Sequence, residues 1–232
     1  EDIGKLGGVY RVTEGLLAKH GQKRVIDSPL GEAGIVGTSI GMAMRGYRPV
    51  AEIQFDGFVF PAYSQITTQL AKIHNRSDKK YVVPVTIRIP YGGVIGAVEH
   101  HSESPEALFA HTPGLRIVTP SSPHDAYWMT RKSIECDDTV IIFEPKRRYW
   151  LKGEVNFADT DFDPLQAQVV REGTDATIVA YGPLVPVALA AAEAAVEDGR
   201  SIEVIDLRSI SPMDVPTVAA SVVKTGRLIV AH

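Results

Sequence analysis

Leu30-Gly31-Glu32-Ala33-Gly34-Ile35-Val36-Gly37 sets one acid into an apolar, glycine-rich stretch. Asp27-Ser28-Pro29 ahead of it supplies turn chemistry, and the run Ile35, Val36, Ile40, Met42, Ala43, Met44 leads on to Arg45-Gly46. The pattern predicts a helix that opens near Gly31 and closes at Gly46. Glu32 falls in its first turn, where the helix dipole favours an anion. Gly34, Gly37 and Gly41 inside the helix each cost up to about 1 kcal/mol against alanine, so a close-packed neighbour is expected there. Taken alone, Glu32 is open to two readings: a complement to the dipole, or a carboxylate that grips a cationic or proton-accepting ring.

Outward from this helix, apolar runs of strand length alternate with helical patterns. The expected strands are Val25-Ile26, Val50–Ile53, Val85–Ile89, Arg116–Val118 and Val140–Phe143. The expected helices cover 9–20, 31–45, 58–75, 104–110 and 123–135. This alternation predicts an α/β fold with a mostly parallel sheet covered by helices on both faces. From Lys146 to Gln168 the pattern breaks into a polar stretch, read as a linker, with Asp159, Asp161, Asp163 and Pro164. A second α/β unit follows: strand Ala176–Ala180, helix 184–197, strand Ile202–Ile205, a helix after Pro212-Met213-Asp214, and a last strand at 228–231. The expected division is therefore 1–150, a link at 151–170, and a second domain beginning at 171 and running to 232.

Composition narrows the function. A net charge of -4 gives no electrostatic reason to expect nucleic acid or an anionic membrane surface. No apolar run approaches the roughly 20 residues of a membrane span. Cys136 is the single cysteine, which excludes an internal disulfide and suits a reducing compartment. P-loop and G-x-G-x-x-G motifs are absent, which weakens a nicotinamide dehydrogenase reading. The chain opens at Glu1 without a methionine and stops at His232 behind a strand-like run, so sequence is expected beyond both ends.

Chemistry in open α/β sheets collects beyond the carboxyl ends of the strands. Glu32 follows the first expected strand, Gln54, Phe55 and Phe58 the second, and Tyr91-Gly92-Gly93 with His100-His101 the third. Histidine can move a proton near neutral pH, and phenylalanines can stack on a flat heterocycle. The alternatives are a solvated histidine pair and ordinary core. Ser104-Pro105-Glu106 reads as a helix start that would fix the loop. Lys146-Arg147-Arg148-Tyr149-Trp150 is basic and aromatic but short, and reads as a solvated or subunit-facing segment.

Several ordered segments together give a specific likeness: Glu1-Asp2-Ile3-Gly4, Gly7–Thr13, Leu30–Gly37, Ala51–Phe55, His101–Ala107, Phe109–Gly114, Phe143–Lys146, Glu203–Arg208 and Lys224–Leu228. The whole chain resembles the beta subunit of the thiamine-diphosphate-dependent decarboxylase component of 2-oxo acid dehydrogenase complexes. Glu-Ile-Gln-Phe and Phe-Glu-Pro-Lys resemble the branched-chain enzymes more than the pyruvate enzymes. The resemblance implies a pyrimidine-binding α/β domain followed by a transketolase-type C-terminal domain that here looks truncated. It implies an alpha2-beta2 heterotetramer whose alpha subunit holds the diphosphate and Mg2+, in keeping with the missing Gly-Asp-Gly motif. It also implies a lipoyl acyltransferase core as partner, in the bacterial cytoplasm or the mitochondrial matrix.

Carried over by position, Glu32 matches the glutamate that hydrogen-bonds the pyrimidine ring nitrogen. His101, followed directly by Ser102, matches the active-site histidine better than His100. Phe58 matches the aromatic residue against the aminopyrimidine, where branched-chain enzymes often carry tyrosine. Leu30 and Gln54 are expected lining residues, and a backbone K+ site is expected near Ser133, Cys136 and Asp138. The rivals are the same chemistry on pyruvate, acetoin or another 2-oxo acid, and a non-catalytic organising subunit.

Overall fold

The run ahead of Tyr91 is buried without interruption, and the first sheet is built around it. In the computed structural model, which describes residues 1–93 and 95–232, β1 (Val50–Glu52) and β2 (Thr86–Tyr91) pair in parallel, with Val50 opposite Thr86 and Glu52 opposite Arg88. Every residue of β2 is buried, the signature of a strand covered on both faces. Glu52 and Arg88 meet there as a buried ion pair at 2.6 Å, each neutralising the other's charge away from water. β4 (Val140–Pro145) runs beside β2, with the Val140 N–H donating to the Val85 carbonyl at 3.1 Å.

The chain divides into two compact units, 1–115 with 136–141, and 116–135 with 142–232. In the first unit α1 (Leu16–His20) is short, and α2 (Glu32–Met44) spans the expected length. α2 ends in a Schellman motif: Gly46 at φ 87° donates to Ala43, and Tyr47 donates to Met42. Behind β1 the expected helix is present, but in three windings. A 3₁₀ stretch (Asp56–Ala62) passes into a π-helical one (Gln65–Leu70) and then α3 (Ala71–Arg76). Pro61 removes one backbone donor, and the Thr67 and Thr68 hydroxyls donate to the carbonyls four residues back, which loosens the winding. Val36, Ile53, Val59, Ile66, Leu70, Val85, Ile87, Ile89 and Phe109 fill this core. Each fully buried aliphatic or phenylalanine side chain contributes about 1.5–3 kcal/mol. α4 (Glu106–Ala110) follows Ser104-Pro105.

Two expectations fail here. Val25-Ile26 joins no strand among the described residues, since Val25 lies in a bend and its N–H donates to the Gly21 carbonyl at 3.0 Å, and residues 9–15 form turns. Gly7, Gly8 and Gly15 at positive φ break the latter segment before a helix can propagate.

In the second unit β3 (Arg116–Val118) and α5 (Pro123–Glu135) match expectation, and β3 pairs antiparallel with an unforeseen strand, β8 (Ser209–Ser211). A four-stranded sheet runs in the order β5 (Gln168–Arg171), β7 (Ile202–Asp206), β6 (Ala176–Ala180), β9 (Leu228–Val230), parallel except at β5. α6 (Val185–Ala194) packs on it through Val185, Ala188 and Ala192. α7 (Val215–Thr225) is capped by Asp214, which accepts from the Thr217 N–H. The expected linker is not loose. The Trp128 indole donates to the Asn156 carbonyl at 2.9 Å, His124 meets Asp159 at 2.9 Å, and Phe162 stacks on Trp128.

Asp206 ends β7 inside this unit, and its carboxylate accepts from the Ser121 hydroxyl. Burial first, and then the nearby charge of Asp125, push its carboxyl up to about 6 against the pull of the Ser121 bond. The folded state therefore keeps this proton over a range where the unfolded chain, near 3.8, has lost it. Stability from the group is full below the unfolded value and is lost as pH rises through about 6. The loss is on the order of 3 kcal/mol. The stability gap between the wild type and Asp206→Asn should thus move in the variant's favour between about pH 4 and pH 7. Parallel urea unfolding across that range checks this, and a flat gap rejects it.

Candidate functional site

Because β1 and β2 are parallel, the segments that leave them emerge at the same end. Phe55 continues extended from β1, and the 3₁₀ stretch then turns Phe58 back towards it, with ring centroids 5.9 Å apart at 90°. The loop after β2 carries His101 against both rings, 4.4 Å from Phe55 and 5.1 Å from Phe58. Tyr10 closes on Phe55 at 6.0 Å, and His100 lies 6.3 Å from Phe58, tilted rather than edge-on. The result is a cluster of aromatic faces and edges around one imidazole.

The His101 ring has a defined tautomer. Its Nδ1 lies 2.8 Å from the Glu99 carbonyl, which can only accept, so Nδ1 carries a hydrogen. Ser102 donates its hydroxyl to Ala97 at 2.5 Å, and Glu99 and His100 both take left-handed backbone, at φ 41° and 60°.

The acid stands on the neighbouring element. Glu32 is half-buried in the first turn of α2, which packs against the 3₁₀ stretch that carries Phe58. Gly31, ahead of it, donates its N–H to the Glu1 carboxylate at 3.0 Å. Glu1 is buried; burial pushes its carboxyl up, the Gly31 bond pulls it down, and the charge of Glu32 adds to the rise. The expected close neighbour of Gly34, Gly37 and Gly41 is not supplied by the chain itself: a methyl group at any of them would meet nothing within 4 Å.

Of the residues singled out from sequence, Phe58 and His101 are brought into contact, and Glu32 opens the helix packed beside them. Leu30 is 78% exposed. The Gln54 amide donates to the Asp2 carboxylate. Ser133 is buried on α5. The Cys136 carbonyl accepts from Arg48 at 2.6 Å, and Arg48 also pairs with Asp137. A guanidinium thus already faces this carbonyl. Sequence reasoning missed Glu1, Tyr10 and Asp56. Only Asp56 left a local trace, as an acid–glycine pair directly behind a strand.

The model for the transketolase pyrimidine binding domain matches residues 1–150, and that for the transketolase C-terminal domain matches 165–232. The chain is 64% identical over 232 residues to the pyruvate dehydrogenase E1 component subunit beta of Leifsonia xyli, covering all of this chain and 69% of that protein. It is 49% identical over 233 residues to the 3-methyl-2-oxobutanoate dehydrogenase subunit beta of Mycobacterium tuberculosis, covering all of this chain and 67% of that one. With the 2-oxoisovalerate dehydrogenase subunit beta of Bacillus subtilis it shares 44% over 230 residues, covering 99% of this chain and 70% of that one. Among solved structures, a split gene transketolase described as an inactive beta4 tetramer superposes with a TM-score of 0.80 at 24% identity, over 95% of this chain and 69% of that one, a likeness of fold.

Proposed function

We propose, from the premise that the chain belongs to the family of 2-oxo acid dehydrogenase beta subunits, that it forms the pyrimidine-holding half of a split thiamine diphosphate site. The observation that carries this reading is the Phe55–Phe58–His101 cluster beside a helix opened by Glu32. A carboxylate next to flat aromatic faces fits an aminopyrimidine: the acid can share a proton with a ring nitrogen, and the rings exclude water. In this reading Glu32 holds the proton, Phe58 supports the ring, and Leu30 and Gln54 line the approach.

When bound, thiamine diphosphate supplies the carbon nucleophile and the electron sink for decarboxylation of a 2-oxo acid. The chain supplies orientation and proton handling. His101 can take up or return a proton as the acyl group passes to a lipoyl arm. An alpha subunit holds the diphosphate and Mg2+ in an alpha2-beta2 assembly on a lipoyl acyltransferase core. Residues 1–150 form the pyrimidine-binding domain, 151–170 the link, and 171 onward the start of the C-terminal domain. No described helix is long and apolar enough to cross a membrane; in this reading the assembly works in the cytoplasm of a bacterium.

For the substrate, Glu52-Ile53-Gln54-Phe55 and Phe143-Glu144-Pro145-Lys146 favour a branched-chain 2-oxo acid. The 64% identity with a protein named for pyruvate favours the second reading, pyruvate. Turnover of 2-oxoisovalerate and pyruvate by the assembled enzyme separates them.

Calorimetric titration of thiamine diphosphate with Mg2+ tests the split site. Binding is expected only when the chain is combined with its alpha subunit. Tight binding to this chain alone overturns the partner assignment, and no binding to the pair favours an organising role.

A further inference from the structure

We propose that Asp56 and Gly57 form a clasp that sets the position of His101, with Asp56 as a positioning residue for the reaction. The inference rests on the proposed role of His101. Asp56 is 0% exposed, and a carboxylate taken out of water needs donors around it. Its two oxygens accept from two backbone N–H groups on different segments, Gly57 at 3.1 Å and Gly92 at 3.0 Å. Each of these N–H groups also reaches across to the histidine loop. Gly57 donates to the His100 carbonyl at 3.1 Å, and Gly92 donates to the Glu103 carbonyl at 2.8 Å. One buried carboxylate therefore shares the two N–H groups, one just past β1 and one just past β2, that bond to the 99–103 segment. Bonds to an ionised acceptor are the stronger kind.

Gly57 is the other half of the clasp. A Cβ there would lie 2.3 Å from His100 Cα and 2.7 Å from its carbonyl oxygen, so any side chain displaces the loop. The segment so held is one that does not rest in this shape by itself, because Glu99 and His100 are consecutive non-glycine residues in left-handed backbone. His101 follows at once, and its ring Nδ1–H donates to the carbonyl of Glu99. Release of the clasp should let the strained pair relax and carry the imidazole away from Phe55 and Phe58. The charge of Asp56 is also felt within the cluster: burial first, and then Asp56, push the Tyr10 phenol up to about 12.

The test is a double-mutant cycle in the assembled enzyme, read as kcat and KM for the 2-oxo acid with acyl transfer to a lipoyl domain. Asp56→Ala and Gly57→Ala should each lower kcat by about 10²-fold, the cost of a misplaced group, with KM within a few-fold. Asp56→Asn keeps one acceptor and should fall between. In a His101→Ala background, adding Asp56→Ala should cost less than about 2-fold, since a residue that acts through another has nothing left to act on. Full activity in both Asp56 variants, or losses that multiply, overturns the clasp. If Asp56→Ala fails to assemble, Asp56→Asn in both backgrounds decides by the same criteria. A silent His101→Ala removes the site reading itself, an outcome distinct from failure of the clasp.

Discussion

Glu32→Gln in the assembled enzyme should lower turnover by at least about 10²-fold while leaving the fold almost untouched. Glutamine keeps the length of the side chain and its place in the first turn of α2, so packing against the 3₁₀ stretch at Asp56–Ala62 is unchanged. What the substitution removes is the negative charge and the ability to share a proton. Loss of the charge at a helix start costs about 0.3–1 kcal/mol of stability. A charge-assisted bond to the cofactor ring is worth about 1.5–3 kcal/mol, so binding weakens by roughly one to two orders of magnitude. The larger effect is on rate, and it persists at saturating cofactor, because a neutral amide cannot hold the ring nitrogen's proton. Turnover measured at saturating thiamine diphosphate, alongside a thermal melt, separates the two. Unchanged turnover would transfer the site to another acid and leave Glu32 as a dipole complement only.

His101→Ala should cost about 10²–10⁴-fold in acyl transfer to the lipoyl domain. Phe55 and Phe58 remain edge-to-face without the imidazole, so cofactor binding should change by only a few-fold. His101→Asn sharpens the result. Asparagine can still donate to the Glu99 carbonyl, the present partner of Nδ1, yet it has no group that titrates. Equal losses in the alanine and asparagine variants assign the effect to proton handling at Nε2. Recovery in the asparagine variant assigns it to the loop bond. If the Glu32 and His101 variants both turn over normally, an organising subunit becomes the better reading.

Legibility differed by element for physical reasons. α5 and β6 could be read because their patterns are long and uninterrupted, a helical period in one and five consecutive buried residues in the other. β8 could not, since Ser209-Ile210-Ser211 is as polar as a loop and becomes a strand only by pairing with β3. β5 is half-exposed and flanks the sheet, so it lacks the apolar run that marks a central strand. Val25-Ile26 erred the other way: two apolar residues are too short a signal, and a local turn bond from Val25 to Gly21 takes the place of strand pairing. In the site, Phe58 and His101 sit on segments that follow recognisable strands, and their convergence followed from parallel pairing. Tyr10 joins the cluster from far away in sequence, and no local pattern announces such a contact. Asp56 reads as an ordinary turn acid, and only its burial reveals otherwise.

The pairing of β3 with β8 also has a consequence for how the chain is made. Ser209 reaches Ile117 at a separation of 92 positions along the chain, and that span contains the whole of the central strands of the second sheet. A ribosome adding about 5–20 residues per second leaves the free edge of β3 waiting for roughly 5–20 seconds before its partner emerges. Through that interval the edge can be taken by a strand of a neighbouring nascent chain. Slow synthesis, so often a help to folding, would here lengthen the exposure.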